Sequence, residues 1–149
     1  SNNKKDKKKL ELFFQKKIEE MNPYRSFLKS LAASSIDSTN PLSPFSKENE
    51  GIKNKVTQMI QQMLEQEKVK AGKEIKPIMG SLAWYLQMAF MLYWIHDTSE
   101  NQVNSQKLLK RLLKVYFTFL TTSNLPVIRG FNKNFVETFN LIGAGYGAA

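Results

Sequence analysis

A segment without charged side chains runs through the middle of the sequence, over residues 78–95. Its only strongly polar residues are Ser81 and Gln87. A helix that is apolar around its whole circumference must be surrounded by other protein or by lipid. Eighteen uncharged residues stand at the lower limit for crossing a bilayer, but the aromatic residues, the methionines and the central glutamine suit a protein interior better. We therefore predict a central helix that is covered by other helices and by a second subunit.

The remaining sequence shows apolar residues at steps of three or four, the pattern of amphipathic helices. We predict helices over residues 4–21, 23–36, 47–68, 101–122 and 126–142, in addition to the central one. All five prolines fall at a proposed helix start or in the loop 37–46, and no segment alternates with period two. The sequence thus predicts an all-α fold of about six helices, forming a single domain over residues 1–149. The glycine-rich end, 143–149, is expected not to hold order by itself.

The net charge of +9 raises the question of a nucleic-acid partner. Much of the excess comes from a lysine run between Lys4 and Lys9, and the basic residues of 107–114 recur at the spacing of a solvated helix face. Because lysine runs are usually solvated ends, we do not predict direct DNA or RNA contact by this chain. The absence of cysteine excludes disulfides and thiolate metal sites, and it fits a cytoplasmic protein.

The sequence offers little material for an active site. His96 is the only histidine, so no His–His metal pair can form within one chain. Its simplest place is a helix C-terminus, where a positive charge meets the dipole; a proton-transfer or ligand-contacting pair with Asp97 is the alternative. The glycines of 143–148 satisfy a dinucleotide-binding spacing, but the required strand and helix are missing. We predict no enzyme, no catalytic residue, no bound metal and no cofactor.

Soft and flat side chains concentrate on the central helix and its predicted neighbours, and such side chains suit a pocket for an apolar small molecule. The candidate ligand-binding residues are Phe27, Met59, Met63, Trp84, Gln87, Met88 and Met91. The same residue types also make ordinary core, which composition alone favours. Gln87 favours a binding role over plain core, because an amide buried in mid-helix needs a hydrogen-bond partner. A ligand or a subunit interface would supply that partner.

Four segments resemble the C-terminal domain of TetR-type transcriptional regulators: YRSF (24–27), NPLSPFS (40–46), LYWIHDTS (92–99) and the basic-apolar helix from Lys107. The resemblance covers most of residues 10–122. It implies a helical domain that binds a small effector among its helices and dimerises through two long helices. These would be the central helix and the helix 107–122, which would form a four-helix bundle across the homodimer. The implied dimer contacts are Leu92, Ile95, Leu108, Leu112, Val115 and Phe119.

The resemblance also implies an allosteric mechanism, in which an apolar effector changes the spacing of two DNA-reading heads and thereby the affinity for an operator. TetR-type regulators begin with a helix-turn-helix domain, and this sequence contains none. We therefore expect DNA binding to belong to a domain that precedes Lys4 in the parent protein. Two alternatives remain at this stage: a helical module that binds another protein without a small-molecule ligand, and a membrane-associated protein anchored by 78–95.

Overall fold

The computed structural model describes residues 2–32, 37, 39–40, 43 and 46–147, and gives the backbone alone for 2–3 and 144–147. Within these residues there are six α-helices and no strand. The helices are α1 (Asn2–Met21), α2 (Arg25–Leu31), α3 (Lys47–Gln66), α4 (Met79–His96), α5 (Val103–Ser123) and α6 (Arg129–Gly147). The predicted all-α fold is confirmed. Most of the predicted loop 37–46 and the end predicted for the second helix lie outside the described residues.

Proline positions explain where three of the helices begin. Pro23, Pro77 and Pro126 each lie in a short 3₁₀ turn directly before α2, α4 and α6. Proline has no N–H to leave unpaired, and its fixed φ suits the first helical turn. The last described helix, α6, continues to Gly147. Residues 143–147 are therefore helical, whereas we expected the segment 143–149 not to hold order by itself.

The central helix is α4, and eight of its eighteen residues are buried. On one side it packs antiparallel to α3, so closely that a Cβ at Gly80 would lie 2.4 Å from the carbonyl oxygen of Thr57. The Gln61 side chain accepts a hydrogen bond from the Gly80 N–H at 2.8 Å. On another side α4 packs antiparallel to α5, whose Tyr116 hydroxyl donates to the Met79 carbonyl at 2.8 Å. Neighbouring helices of the same chain therefore cover much of α4.

A single apolar cluster joins these helices to α1. Leu10 and Phe14 are the buried residues of α1 in this cluster, and α1 packs along α5. An ion pair between Lys9 and Glu67 ties α1 to the end of α3. Lys76–His96 is the one described segment that is long and apolar enough to cross a membrane, and 44 % of its window is buried inside the protein. The core helix of a soluble protein passes the same test of length and composition.

The last helix, α6, is attached through aromatic side chains. Phe135 contacts Phe119 of α5 with ring centroids 5.1 Å apart, and Phe139 contacts Tyr85 of α4 at 5.4 Å. Away from these contacts, α6 and the turn before it expose large apolar side chains, namely Val127, Phe131, Leu141 and Ile142. Within the described part of the chain, one side of α6 therefore has no apolar cover.

Candidate functional site

The middle of α4 holds two buried polar side chains, Trp84 and Gln87, which are only 6 % and 4 % exposed. Trp84 Nε1 and Gln87 Oε1 are both buried, and neither has a hydrogen-bond partner in the part of the chain that the structure describes. Residues three apart lie on the same face of a helix. One face of α4 thus carries an unpaired donor and an unpaired acceptor.

Unpaired buried atoms of this kind need a physical explanation. The large majority of buried polar atoms in proteins are hydrogen-bonded, and leaving one unpaired costs about 1–3 kcal/mol. The other atom of the Gln87 amide, Nε2, makes only a weak contact with Met91 Sδ at 4.0 Å. Trp84, although buried, is not a member of the main apolar cluster. A ligand with complementary groups would remove both penalties, which makes this face the candidate site.

Four of the seven predicted ligand residues share that face of α4, because their positions follow the helical spacing of three, four and seven residues. They are Trp84, Gln87, Met88 and Met91. The two methionines are half-buried. Flexible thioether side chains fill irregular space well, so the surroundings of the unpaired atoms can adapt to the shape of a ligand.

The other three predicted ligand residues lie on α2 and α3. Met63 is half-buried against the main apolar cluster. Phe27 and Met59 are 60 % and 47 % exposed, so the described residues enclose neither side chain. The surface has a cleft at the end of α3 and another beside the start of α1. Neither cleft is lined by any of the seven residues. The assignment of these residues to a ligand stays a prediction.

Sequence reasoning missed the role of Arg25, which binds the C-terminal end of α4. Its guanidinium donates to the Trp94 carbonyl at 3.0 and 3.1 Å and also to the Asp97 carbonyl. The same group lies 5.8 Å from the centre of the Trp94 ring. The last carbonyls of a helix have no partner within the helix and form the negative end of its dipole. Arg25 therefore fixes α2 on the end of the central helix.

Asp97 connects α4 to α5. Its Oδ2 accepts bonds from the hydroxyl and backbone N–H of Ser105 at 2.6 and 2.8 Å, and its Oδ1 accepts bonds from the same groups of Ser99 at 2.6 and 2.9 Å. These bonds, that of the Ser105 hydroxyl foremost, hold the pKa of Asp97 well below its usual range. As predicted, α4 ends at His96, whose ring is exposed. The carboxylate of Asp97 serves the helix junction and does not bond His96.

The six predicted dimer residues differ in their exposure. Leu92 and Val115 are exposed, whereas Leu108, Leu112 and Phe119 are half-buried. Ile95 is only 5 % exposed and belongs to the apolar cluster, so it offers a partner little surface.

A family model described as "Tetracyclin repressor-like, C-terminal domain" matches residues 9–135. The chain belongs to this family. The TetR-like match confirms the resemblance read from the sequence and extends it beyond residue 122 into α6. No curated protein matches the chain.

TetR-like C-terminal domains are regulatory domains that bind effectors and dimerise, and the family is not one of enzymes. Across the described ranges of this TetR-like domain there is no group of three or more histidines and carboxylates that could hold a metal ion.

Proposed function

We propose that this TetR-like domain binds an apolar small-molecule effector beside α4, dimerises through α5 and α6, and thereby controls DNA binding by an N-terminal helix-turn-helix domain. The observation that supports the effector site is the unpaired pair of Trp84 Nε1 and Gln87 Oε1 on a face shared with two methionines. A regulator of this kind works on DNA, so we place it in the cytoplasm.

The apolar character of the effector follows from the charge of α4. No charged side chain occurs over residues 78–95, and a buried ionic group without a counter-charge is strongly unfavourable. A ligand held by this face is therefore uncharged, and most of its contact area is apolar. Its affinity comes from apolar burial, while the polar pair sets its orientation.

The dimer surface that we propose differs from the one expected from the sequence. Eight of the eighteen residues of the central helix are buried within its own chain, and Ile95 belongs to the core. The exposed apolar side chains that we assign to the dimer surface lie on α5, on α6 and in the turn before α6, and they are Val115, Val127, Phe131, Leu141 and Ile142. Two such helices from each protomer would form a four-helix bundle and remove these side chains from water.

The coupling to DNA runs through α1, the helix that would follow the DNA-binding domain. The start of α1 lies against the end of α5, where Lys7 and Thr121 line one cleft. An effector that prefers one arrangement of α4 and its neighbours would shift α1 in both protomers and change the distance between the DNA-reading heads. The effector must bind the two arrangements with different affinity for this to occur.

The dimer is tested by light scattering combined with size-exclusion chromatography. We expect wild type to be a dimer and Phe131→Asp to be a monomer, because Phe131 is exposed on α6. Leu12→Asp, at an exposed leucine of α1, is the matched control and should remain a dimer. A monomeric wild type would favour the alternative of a helical protein-interaction module, whose exposed apolar face awaits another protein.

The effector site is tested with N-phenyl-1-naphthylamine, a neutral probe whose fluorescence rises in apolar surroundings. We expect one saturable site per protomer. Met88→Arg places a charge on the candidate face and should abolish binding, whereas Gln62→Arg, on the exposed side of α3, should leave binding unchanged. Absence of binding to wild type would remove the basis for the effector site.

A further inference from the structure

We propose that the effector carries a hydrogen-bond acceptor and a hydrogen-bond donor side by side on a flat apolar framework, as a lactam or secondary amide does. The inference rests on the proposed function, because it names the ligand class for the same face of α4. The acceptor would face Trp84 Nε1 and the donor would face Gln87 Oε1, two of the five buried side-chain atoms that lack partners among the described residues.

The chemistry of the two atoms determines this complement. An indole N–H can only donate, and an amide oxygen can only accept. Gln87 Nε2 makes a weak contact with Met91 Sδ at 4.0 Å, and Oε1 is the atom of the amide that has no partner among the described residues. An anionic ligand would place an acceptor against the Gln87 oxygen, which is also an acceptor, so no hydrogen bond would form there. A cationic ligand would place a donor against the Trp84 N–H, which is also a donor. A neutral ligand with both functions is the one that satisfies both atoms.

The other tryptophan of the chain and one glutamine of α3 are paired. Trp94 is fully buried, and its Nε1 donates to the Gln102 Oε1 at 2.8 Å. Gln61 uses both ends of its amide, accepting from the Gly80 N–H and donating to the Lys76 carbonyl, each at 2.8 Å. Trp94 of α4 and Gln61 of α3 are thus paired. Trp84 Nε1 and Gln87 Oε1 are unpaired on the face that carries the two methionines; the other buried side-chain atoms without a partner among the described residues are Asp6 Oδ1, Thr57 Oγ1 and Asn132 Oδ1.

The neighbouring charge of Lys53 is already engaged. Its ammonium donates to the Tyr85 hydroxyl at 3.1 Å and lies 5.0 Å from the centre of that ring. This contact ties α3 to α4 beside Trp84, yet it leaves the unpaired atoms without a charged partner. The site therefore selects by hydrogen-bond direction and not by charge.

The test is a titration followed by the indole N–H signals in ¹H–¹⁵N spectra. The chain has two tryptophans, so it gives two indole signals, and Trp84→Phe assigns them. Three flat probes of similar size are compared: 2-quinolinone with adjacent acceptor and donor, its N-methyl derivative with the acceptor alone, and naphthalene with neither. We expect 2-quinolinone to shift the Trp84 signal strongly and to leave the Trp94 signal in place.

Affinities provide the second readout. Since each buried polar atom left unpaired weakens binding roughly 5- to 150-fold, 2-quinolinone should bind at least 5-fold tighter than its N-methyl derivative, and naphthalene should bind weakest. Gln87→Met should abolish the preference for 2-quinolinone over the N-methyl derivative. Gln62→Met, at an exposed glutamine of α3, is the control and should keep the preference.

Two outcomes separate this inference from the proposed function. If naphthalene binds as tightly as 2-quinolinone, or if 2-quinolinone binds without moving the Trp84 signal, the donor–acceptor inference is overturned and an apolar effector site remains. If none of the three probes binds, and N-phenyl-1-naphthylamine does not bind either, the effector site itself is overturned.

Discussion

Replacing Gln87 with methionine should raise the stability of the unliganded domain. The two side chains have similar length and volume, so the change removes the amide without opening a cavity. The Oε1 atom has no partner in the described part of the chain, and the Nε2 contact with Met91 Sδ at 4.0 Å is weak. The variant therefore loses almost no favourable interaction.

The expected gain follows from the penalty that the amide carries. An unpaired buried polar atom costs about 1–3 kcal/mol, and this amount should appear as an increase in the free energy of unfolding. For a domain of this size, 1 kcal/mol corresponds to about 2–4 °C in Tm. The Tm of Gln87→Met should therefore rise by about 2–12 °C.

The assay is thermal and urea unfolding followed by circular dichroism, at one fixed protein concentration because the Tm of a dimer depends on concentration. Gln62→Met is the control and should change stability by less than about 0.5 kcal/mol. A loss of more than about 1 kcal/mol in Gln87→Met, beyond the range of that control, would mean that the amide has a structural partner. The ligand argument would then lose its main observation.

Four further substitutions test packing and titration elsewhere in the domain. Gly80→Ala should destabilise by about 1–3 kcal/mol, because its methyl group would lie 2.4 Å from the Thr57 backbone oxygen. Gly51→Ala is the control: a Cβ there has no atom within 4 Å, so the substitution should stabilise by up to about 1 kcal/mol. Equal changes in the free energy of unfolding for the two alanine variants, measured by urea unfolding, would contradict the close packing at Gly80. The lowered pKa of Asp97, caused first by the Ser105 hydroxyl, gives a stabilisation that is present above about pH 4 and lost as the pH falls. Asp97→Asn should therefore lower Tm at neutral pH and reduce the loss of Tm between about pH 5 and pH 2; an unchanged acid profile would refute this role. Burial raises the pKa of Tyr116, so its stabilisation is present below about pH 10 and lost above it. Tyr116→Phe should lose that alkaline dependence and about 1 kcal/mol at neutral pH, and urea unfolding across the pH range checks both.

The helices could be predicted from the sequence because their signals are local. Apolar spacing within each segment marked α1, α3 and α5, and prolines marked the starts of α2, α4 and α6. The family could be recognised for a similar reason, since segments such as LYWIHDTS (92–99) are continuous in the chain. That segment now has a structural meaning, because it contains the Trp94 and Asp97 groups that hold the α4–α5 junction.

The candidate site could be predicted only in part. Helical spacing alone places Trp84, Gln87, Met88 and Met91 on one face of α4. It does not reveal that Trp84 and Gln87 lack partners while Trp94 is paired with Gln102. Pairing depends on where other helices and loops place their polar atoms, and those positions are set by packing between distant segments.

By itself the sequence determined that this chain is all-α, that its middle helix needs cover on most sides and that it is a TetR-like regulatory domain. Only the tertiary structure decided which apolar faces are covered by the chain itself. It buried Ile95 and left Val115 and Phe131 exposed, and it brought Arg25 to the end of α4, 69 residues further along the chain. The physical reason is that an apolar face has the same composition whether its own chain or a partner covers it. The arrangement of the helices alone distinguishes the two.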